Sequence, residues 1–347
     1  MFSITNWYIW LLAFMVYSCS PKQVQILKSE PILTWMKNEN VPTVGVCIIE
    51  NSKIQEVKMF GNIEYHSPAP LNTLFNLASL TKPLISTTTL KLVSNGQWQL
   101  DEPLCHYWTD PDVANDTFNK KLTTRHVLSH QSGLPNWRGN EPNGKLSFAF
   151  EPGTQWKYSG EGFEYLRKAL ENRFQTPIEK LVDSVLFHPL DMKNIHFYWD
   201  KNVDTTRYAE RYRTDGSQYE KEKWYEANAS NLVLSTVEDY GRFGVAILKG
   251  KYLTKEVQVE MIRTQALLKN KKEFGLGWNV VNNLSKGRYA LTHTGRNRGQ
   301  NTIIILLPQD KRGIIVFTNG DNGDKVYENI ISEYFDSGKE ILNRIKQ

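Results

Sequence analysis

The stretch Phe75-Asn76-Leu77-Ala78-Ser79-Leu80-Thr81-Lys82 decides the reading of this chain. It ends in S-x-x-K, with Ser79 and Lys82 three residues apart. On a helix, positions i and i+3 share a face, so an ammonium at Lys82 reaches a hydroxyl at Ser79. A helix that starts near Ser79 also places positive potential where an alkoxide would form. Pro83 requires such a start, because proline is tolerated in a first turn and breaks a helix further in. Serine is a weak nucleophile until a neighbouring base takes its proton. Lysine serves as that base when desolvation or nearby positive charge leaves it neutral. Ser79 is the only serine with a lysine three residues on, and the G-x-S-x-G elbow of another hydrolase class is absent.

Outward from this point, the pattern predicts a helix over 79–94 with Asn95-Gly96 as its stop. Upstream, Pro31 to Asn38 opens as a helix, Val44 to Ile49 reads as a buried strand, and Ile54 to Phe60 reads as its hairpin partner. Downstream, residues 100–230 mix helices with loops rich in Pro, Gly and Trp, with helices expected at Gly162–Phe174 and Ile178–Leu186. Thr236 to Lys249 is amphipathic, with Ser235 as expected N-cap and Glu238 at the capping-box position. Short β-type runs follow at Gly275–Val281, Tyr289–His293, Thr302–Leu307 and Gly313–Asn319, and Val326–Phe335 closes as a helix. Strands at both ends with helices between imply an α+β fold: one antiparallel sheet from both termini, flanked by helices, with a helical lobe inserted.

Two further stretches carry chemistry. Trp156-Lys157-Tyr158-Ser159-Gly160 lies between the Glu151-Pro152-Gly153-Thr154 turn and a helix, a loop able to aim a phenol at a cleft. A tyrosinate held between cations there would accept a proton from Ser79. Thr292-His293-Thr294-Gly295 ends a strand; Thr294 can donate to a substrate and Gly295 permits close backbone approach.

The ordered set S-x-x-K, Y-S-x and H-T-G resembles the serine β-lactamase-like superfamily, which includes class C β-lactamases, D-alanyl-D-alanine carboxypeptidases, D-aminopeptidases and esterases. Thr124–Pro135 (TRHVLSHQSGLP), His188–Met192 and Leu234–Asp239 are similar to connecting segments of that family, so the resemblance covers about residues 30 to 335. It implies a β-lactamase/transpeptidase-like fold with the site at the junction of sheet and lobe. The family's nucleophile falls on Ser79, its lysine on Lys82, its tyrosine on Tyr158, and its third motif on His293, Thr294 and Gly295. The backbone N–H groups of Ser79 and Arg296 fall at the oxyanion hole, where one donor contributes about 3–4 kcal/mol. Gly160 stands where the family often has a substrate-gripping Asn, and His293 where β-lactamases usually have Lys. Both departures point toward esterase or D-peptidase activity ahead of strong β-lactamase activity. The implied function is a serine hydrolase that cleaves an ester or amide in a small molecule or peptide, with no cofactor. A protein that binds or acylates without turnover is the alternative, and a structural pseudo-enzyme has nothing in its favour.

Composition bounds the rest. A chain of 347 residues at 40% hydrophobic has ample material for a large core. A net charge of +5, spread among acids, forms no basic stripe and gives no reason to expect a nucleic-acid partner. Trp7–Tyr17 is nearly all apolar and shorter than the ~20 residues of a membrane span, which suits a signal peptide over residues 1–19. Val16-Tyr17-Ser18-Cys19 resembles a bacterial lipobox, making Cys19 the candidate lipid anchor of an exported protein, although the leader lacks Lys and Arg and Tyr17 is bulky there. The expected organisation is then a linker over 20–30, the hydrolase domain over 31–335 and a tail over 336–347. Cys47 reads as a buried inert thiol, and an oxidising compartment would also permit a Cys47–Cys105 disulfide. His126 and His130 are spaced i, i+4 but lack a third ligand, so they read as structural and no metal is expected. Arg296 and Arg298 are candidates for a substrate carboxylate, and Trp137, Trp156 and Trp224 for a cleft wall.

Overall fold

The computed structural model describes residues 27–64, 67–268 and 272–346. The signal-peptide reading of residues 1–19, the lipidation site at Cys19 and most of the 20–30 linker lie outside the described residues.

Helix α1 (Ser29–Asn38) leads into strands β1 (Thr43–Glu50), β2 (Lys53–Glu64), β3 (Ser67–Pro68) and β4 (Phe75–Asn76). Helix α2 (Thr81–Ser94) follows, and then the lobe with α3 (Thr124–Leu128), α4 (Glu161–Phe174) and α5 (Ile178–Val182). Strands β5 (Ile195–His196) and β6 (Leu234–Ser235) return the chain to helices α6 (Val237–Lys249) and α7 (Lys255–Ile262). Strands β7 (Ala266–Leu267), β8 (Glu273–Phe274), β9 (Asn279–Leu284), β10 (Arg288–Asn297), β11 (Gln300–Leu307) and β12 (Arg312–Thr318) precede α8 (Gly323–Tyr334) and α9 (Gly338–Lys346).

The main sheet has nine strands in the order β3-β2-β1-β12-β11-β10-β9-β8-β7. Its centre joins the two ends of the chain: β1 runs antiparallel to β12, with Val46 opposite Val316. Strand side chains alternate between faces, and the apolar runs in β1, β11 and β12 are buried on both. Val44, Val46, Ile48, Ile303, Ile305, Ile314 and Val316 pack with α1, α8 and α9. Cys47, Ile49, Ile304, Leu306, Ile315 and Phe317 pack on the other side with α2, α6 and the lobe. A fully buried side chain of this size contributes about 1.5–3 kcal/mol, so the doubly covered centre anchors the sheet.

The expected α+β organisation therefore holds, with three local differences. Residues 336–347, read as a tail, contain α9: Ile341, Leu342 and Ile345 fall on one helical face and pack on the back of the sheet. The strand expected to start at Gly275 starts at Asn279, because Gly277 turns the chain at φ +82°. The N-cap of α6 is Thr236 and not Ser235; its Oγ1 accepts from the Asp239 N–H at 3.1 Å. Cys47 and Cys105 are free thiols, and burial raises the pKa of Cys47. Among the described residues no helix is long and apolar enough to cross a membrane.

Candidate active site

From Thr73 to Leu90 every residue is buried except Ser79. A single hydroxyl is thus presented by an otherwise sealed stretch. Ser79 lies in a 3-10 turn, Ala78–Leu80, that runs into α2. The turn is pinned on every side. Leu77 N–H donates to Val233 O at 2.7 Å, and Thr302 Oγ1 donates to Leu77 O at 2.9 Å. Tyr240 Oη donates to Leu80 O at 2.8 Å. Asn76 Oδ1 accepts from the Ala78 N–H at 2.6 Å and holds Ala78 in the left-handed region at φ +48°. Upstream, β4 is fixed by pairing with β6 in a three-stranded sheet.

Lys82 is fully buried in the first turn of α2, where Pro83 is also accommodated. Its Nζ donates to Ser230 O at 2.7 Å and lies 3.3 Å from Ser79 Oγ. Burial lowers its pKa to about 7, against a smaller opposing pull from the Glu164 carboxylate. Loss of water around an ammonium favours the neutral amine. Glu164 acts a second way: its Oε1 accepts from the Ala229 N–H at 2.5 Å, which fixes the segment that supplies Ser230 O.

Tyr158 completes the group. Its ring lies over Lys82 Nζ, 4.7 Å from the centroid, and its hydroxyl shares a hydrogen bond with Ser79. Burial pushes the phenol up to about 12, so it is protonated near neutral pH. This corrects the tyrosinate expected from sequence: one cation near the ring, itself half neutral, does not offset burial. Proton-accepting capacity falls on Lys82.

The third motif is the end of β10. Gly295 lies so close to the 3-10 turn that a Cβ there would collide with Leu77 O and Thr302 Oγ1 and stand 3.1 Å from Ser79 N. Glycine is therefore required, and β10 runs hard against the hydroxyl-bearing turn. His293 Nδ1 donates to Thr294 O at 2.9 Å, and burial beside Lys82 lowers its pKa to about 3, leaving the ring neutral. Arg296 is exposed at the rim, 3.9 Å from Asp324. Gly160 offers no N–H to a ligand: its N–H donates to Asn136 O and Oδ1 at 3.2 and 3.0 Å. A Cβ at this position would stand 2.7 Å from Asn136 O.

A cavity of about 590 Å³ opens above Ser79, walled by Tyr158, Trp137, Trp156, His293, Thr294 and Arg296 among others. The structure thus brings together Ser79, Lys82, Tyr158, His293, Thr294, Gly295 and Arg296. Trp224 lies elsewhere, packed edge-on against Trp199. His126 and His130 diverge: the first packs at Gly153 and the second under Tyr158. Asn136, Ser230 and Glu164 were not singled out from sequence, since a backbone carbonyl and scattered polar residues form no motif.

A buried, partly neutral lysine touching a serine hydroxyl that faces the cavity, beside a phenol, defines a serine-hydrolase type of site. The Beta-lactamase family matches residues 33–332, and the chain belongs to that family. It is 25% identical to penicillin-binding protein 4* of Bacillus subtilis (strain 168) over 78% of this chain and 66% of that one. It is 30% identical to esterase EstB of Burkholderia gladioli over 38% of this chain and 40% of that one. The chain thus spans less than two thirds of the length of these relatives. Among solved structures, the octameric penicillin-binding protein homologue from Pyrococcus abyssi superposes with a TM-score of 0.73 at 20% identity, over 84% of this chain and 73% of that one. The geometry around Ser79 and Lys82 is thus that of a serine-hydrolase type of site in a member of this family.

Proposed function

We propose that the protein hydrolyses esters or D-amino-acid peptide amides through an acyl-enzyme on Ser79. The observation that carries this reading is the 3.3 Å contact between Ser79 and a lysine that burial has brought to about pKa 7. Neutral Lys82 takes the Ser79 proton as Oγ attacks the carbonyl carbon. The new C–O bond pushes the carbonyl electron pair onto oxygen, which the backbone N–H groups of Ser79 and Arg296 receive. Collapse of that oxyanion breaks the bond to the leaving group, and the Tyr158 hydroxyl passes it the proton from Lys82. Water then repeats the sequence on the acyl-enzyme, releasing the acid and restoring Ser79.

Two features favour uncharged esters and amides without a free carboxylate over β-lactams, with a D-Ala-D-Ala peptide as the carboxylate-bearing amide for contrast. His293 is neutral, so the third motif supplies no fixed cation for a carboxylate. At the second motif, the amide that reaches the cavity belongs to Asn136 and not to residue 160. Mapping the site of a phosphonate probe by mass spectrometry, with initial rates on a nitrophenyl ester, a D-Ala-D-Ala peptide and a chromogenic cephalosporin, tests the reading. Label confined to Ser79 and turnover of ester or D-peptide supports it; a folded protein that takes no label ends it. The second reading, binding without turnover, rests on the missing side chain at Gly160 and requires a stable adduct with no product release.

The apolar run Trp7–Tyr17 and the Val16–Cys19 sequence motivate one further proposal, export with a lipid on Cys19. Expression of the full chain in a bacterium, followed by mass analysis of the mature amino terminus, tests it: an unprocessed Met1 or an unlipidated Cys19 is the contrary result.

A further inference from the structure

His130 carries a constellation that the mechanism above does not use. Its carbonyl accepts from the Lys157 N–H at 2.9 Å, and its Nδ1 accepts from the Ser159 N–H at 3.2 Å. One residue therefore grips both neighbours of Tyr158. Its ring also lies under the Tyr158 ring, 4.2 Å between centroids at 34°. Phe163 and Phe274 close around it at 5.6 and 5.0 Å, so the imidazole is immobilised.

Two observations argue that this residue is not an optimum for stability. It stands in the left-handed region at φ +57°. With Nδ1 acting as acceptor, the proton is on Nε2, and that buried N–H has no partner in the structure. Residues held in sparsely populated backbone conformations and orphaned buried donors both disfavour the folded state, and both concentrate where a function depends on them. Glycine or asparagine at the turn, with an apolar side chain inside, would satisfy packing alone.

We infer that His130 is a positioning residue for the reaction: it clamps Lys157 and Ser159 and supports the Tyr158 ring, so that the phenol hydroxyl is fixed on Ser79. The inference rests on the functional reading above, in which Tyr158 passes the proton to the leaving group. It assigns to the H-x-S-G-L-P stretch a mechanical part in catalysis.

The test is a double-mutant cycle between His130→Phe and Tyr158→Phe, read in kcat and KM for a nitrophenyl ester and in thermal melts. His130→Phe keeps a ring beneath Tyr158 and removes the Nδ1 acceptor. It is expected to lower kcat by roughly 10-fold or more with KM nearly unchanged, the signature of an interaction made in the transition state. In the Tyr158→Phe background the same change is expected to cost less than about 2-fold, because the group it positions is already gone. His130→Asn, which offers an acceptor on a side chain suited to positive φ, should recover part of kcat. Equal losses in both backgrounds overturn the inference, as does wild-type kcat in a folded His130→Phe. If His130→Phe loses its cooperative melt, the cycle is run with His130→Asn, whose missing ring should lower kcat only when Tyr158 is present. A wild-type protein that neither labels nor turns over ester sinks the functional reading itself, an outcome distinct from an active enzyme indifferent to residue 130.

Discussion

Behind the sheet, α1, α8 and α9 close over Val44, Val46, Ile303, Ile305 and Ile314 with aliphatic and aromatic side chains. In front, the same strands turn Cys47, Ile49, Ile304 and Phe317 to a core that also has to contain Lys82, His130 and His293. Ser86, Thr87, Thr88, His130 and Trp278 hold buried polar atoms with no partner, and none of the described residues on α1, α8 or α9 does. The back face is built for cohesion. The front face accepts desolvated polar groups, and desolvation is what lowers the pKa of Lys82. Stability and chemistry are thus separated by the thickness of one sheet.

Substitutions on the front should remove activity and leave the fold. Ser79→Ala has the largest expected effect: no measurable ester hydrolysis, with a melting temperature close to wild type by circular dichroism. Lys82→Ala should follow with a loss of about 10²–10⁴ in kcat/KM, the range for a positioned acid–base group. The same lysine sets two pH dependences. Its neutral form accumulates as pH rises through about 7, so the kcat/KM profile should climb there, and Lys82→Ala should flatten that limb. Between about 7 and its ordinary value of 10.5, the unfolded chain binds the proton that the folded chain has released. Stability in urea should therefore rise with pH across that window and be lowest, as regards this group, below 7. A profile without a limb near 7 would break the argument that burial has created the base.

Substitutions on the back should do the reverse. Ile330→Ala, in α8 and fully buried, should cost about 2–5 kcal/mol in chemical denaturation while KM stays near wild type. A change in KM of tenfold would show that the faces are coupled. The smallest expected effect is Thr236→Ala at the start of α6, about 1 kcal/mol, from loss of the cap on Asp239 N–H.

The two faces differ in how far they can be read without coordinates. The sheet was legible because β1, β11 and β12 are short apolar runs bounded by turns, and the chain's two ends supply its centre. Ser79, Lys82, Tyr158 and His293 were legible because motifs in order constrain one another. Hidden were the features that depend on chain segments far apart in sequence: Ser230 O on Lys82, Asn136 beside Gly160, and His130 bracketing Tyr158. A carbonyl acceptor has no residue-type signature, and the i, i+4 spacing of His126 and His130 pointed to a shared face that the left-handed turn at His130 removes. The neutral state of Tyr158 was hidden for another reason, since burial, which sets it, is a property of the packed lobe. Helix α9 was missed although its signal was present: Ile341, Leu342 and Ile345 have helical spacing in a charged segment.

Ala78 carries a consequence for anyone who breeds this protein for heat resistance. An L-residue in the left-handed region is disfavoured by roughly 1–2 kcal/mol, and glycine escapes that penalty. Ala78→Gly is therefore a substitution that a thermal screen would enrich. Glycine there also widens the backbone freedom of the turn on which Ser79 stands, leaving the Ala78 N–H to Asn76 Oδ1 bond as its local restraint. A lineage selected only for melting temperature would drift toward a tougher molecule with a looser hydroxyl.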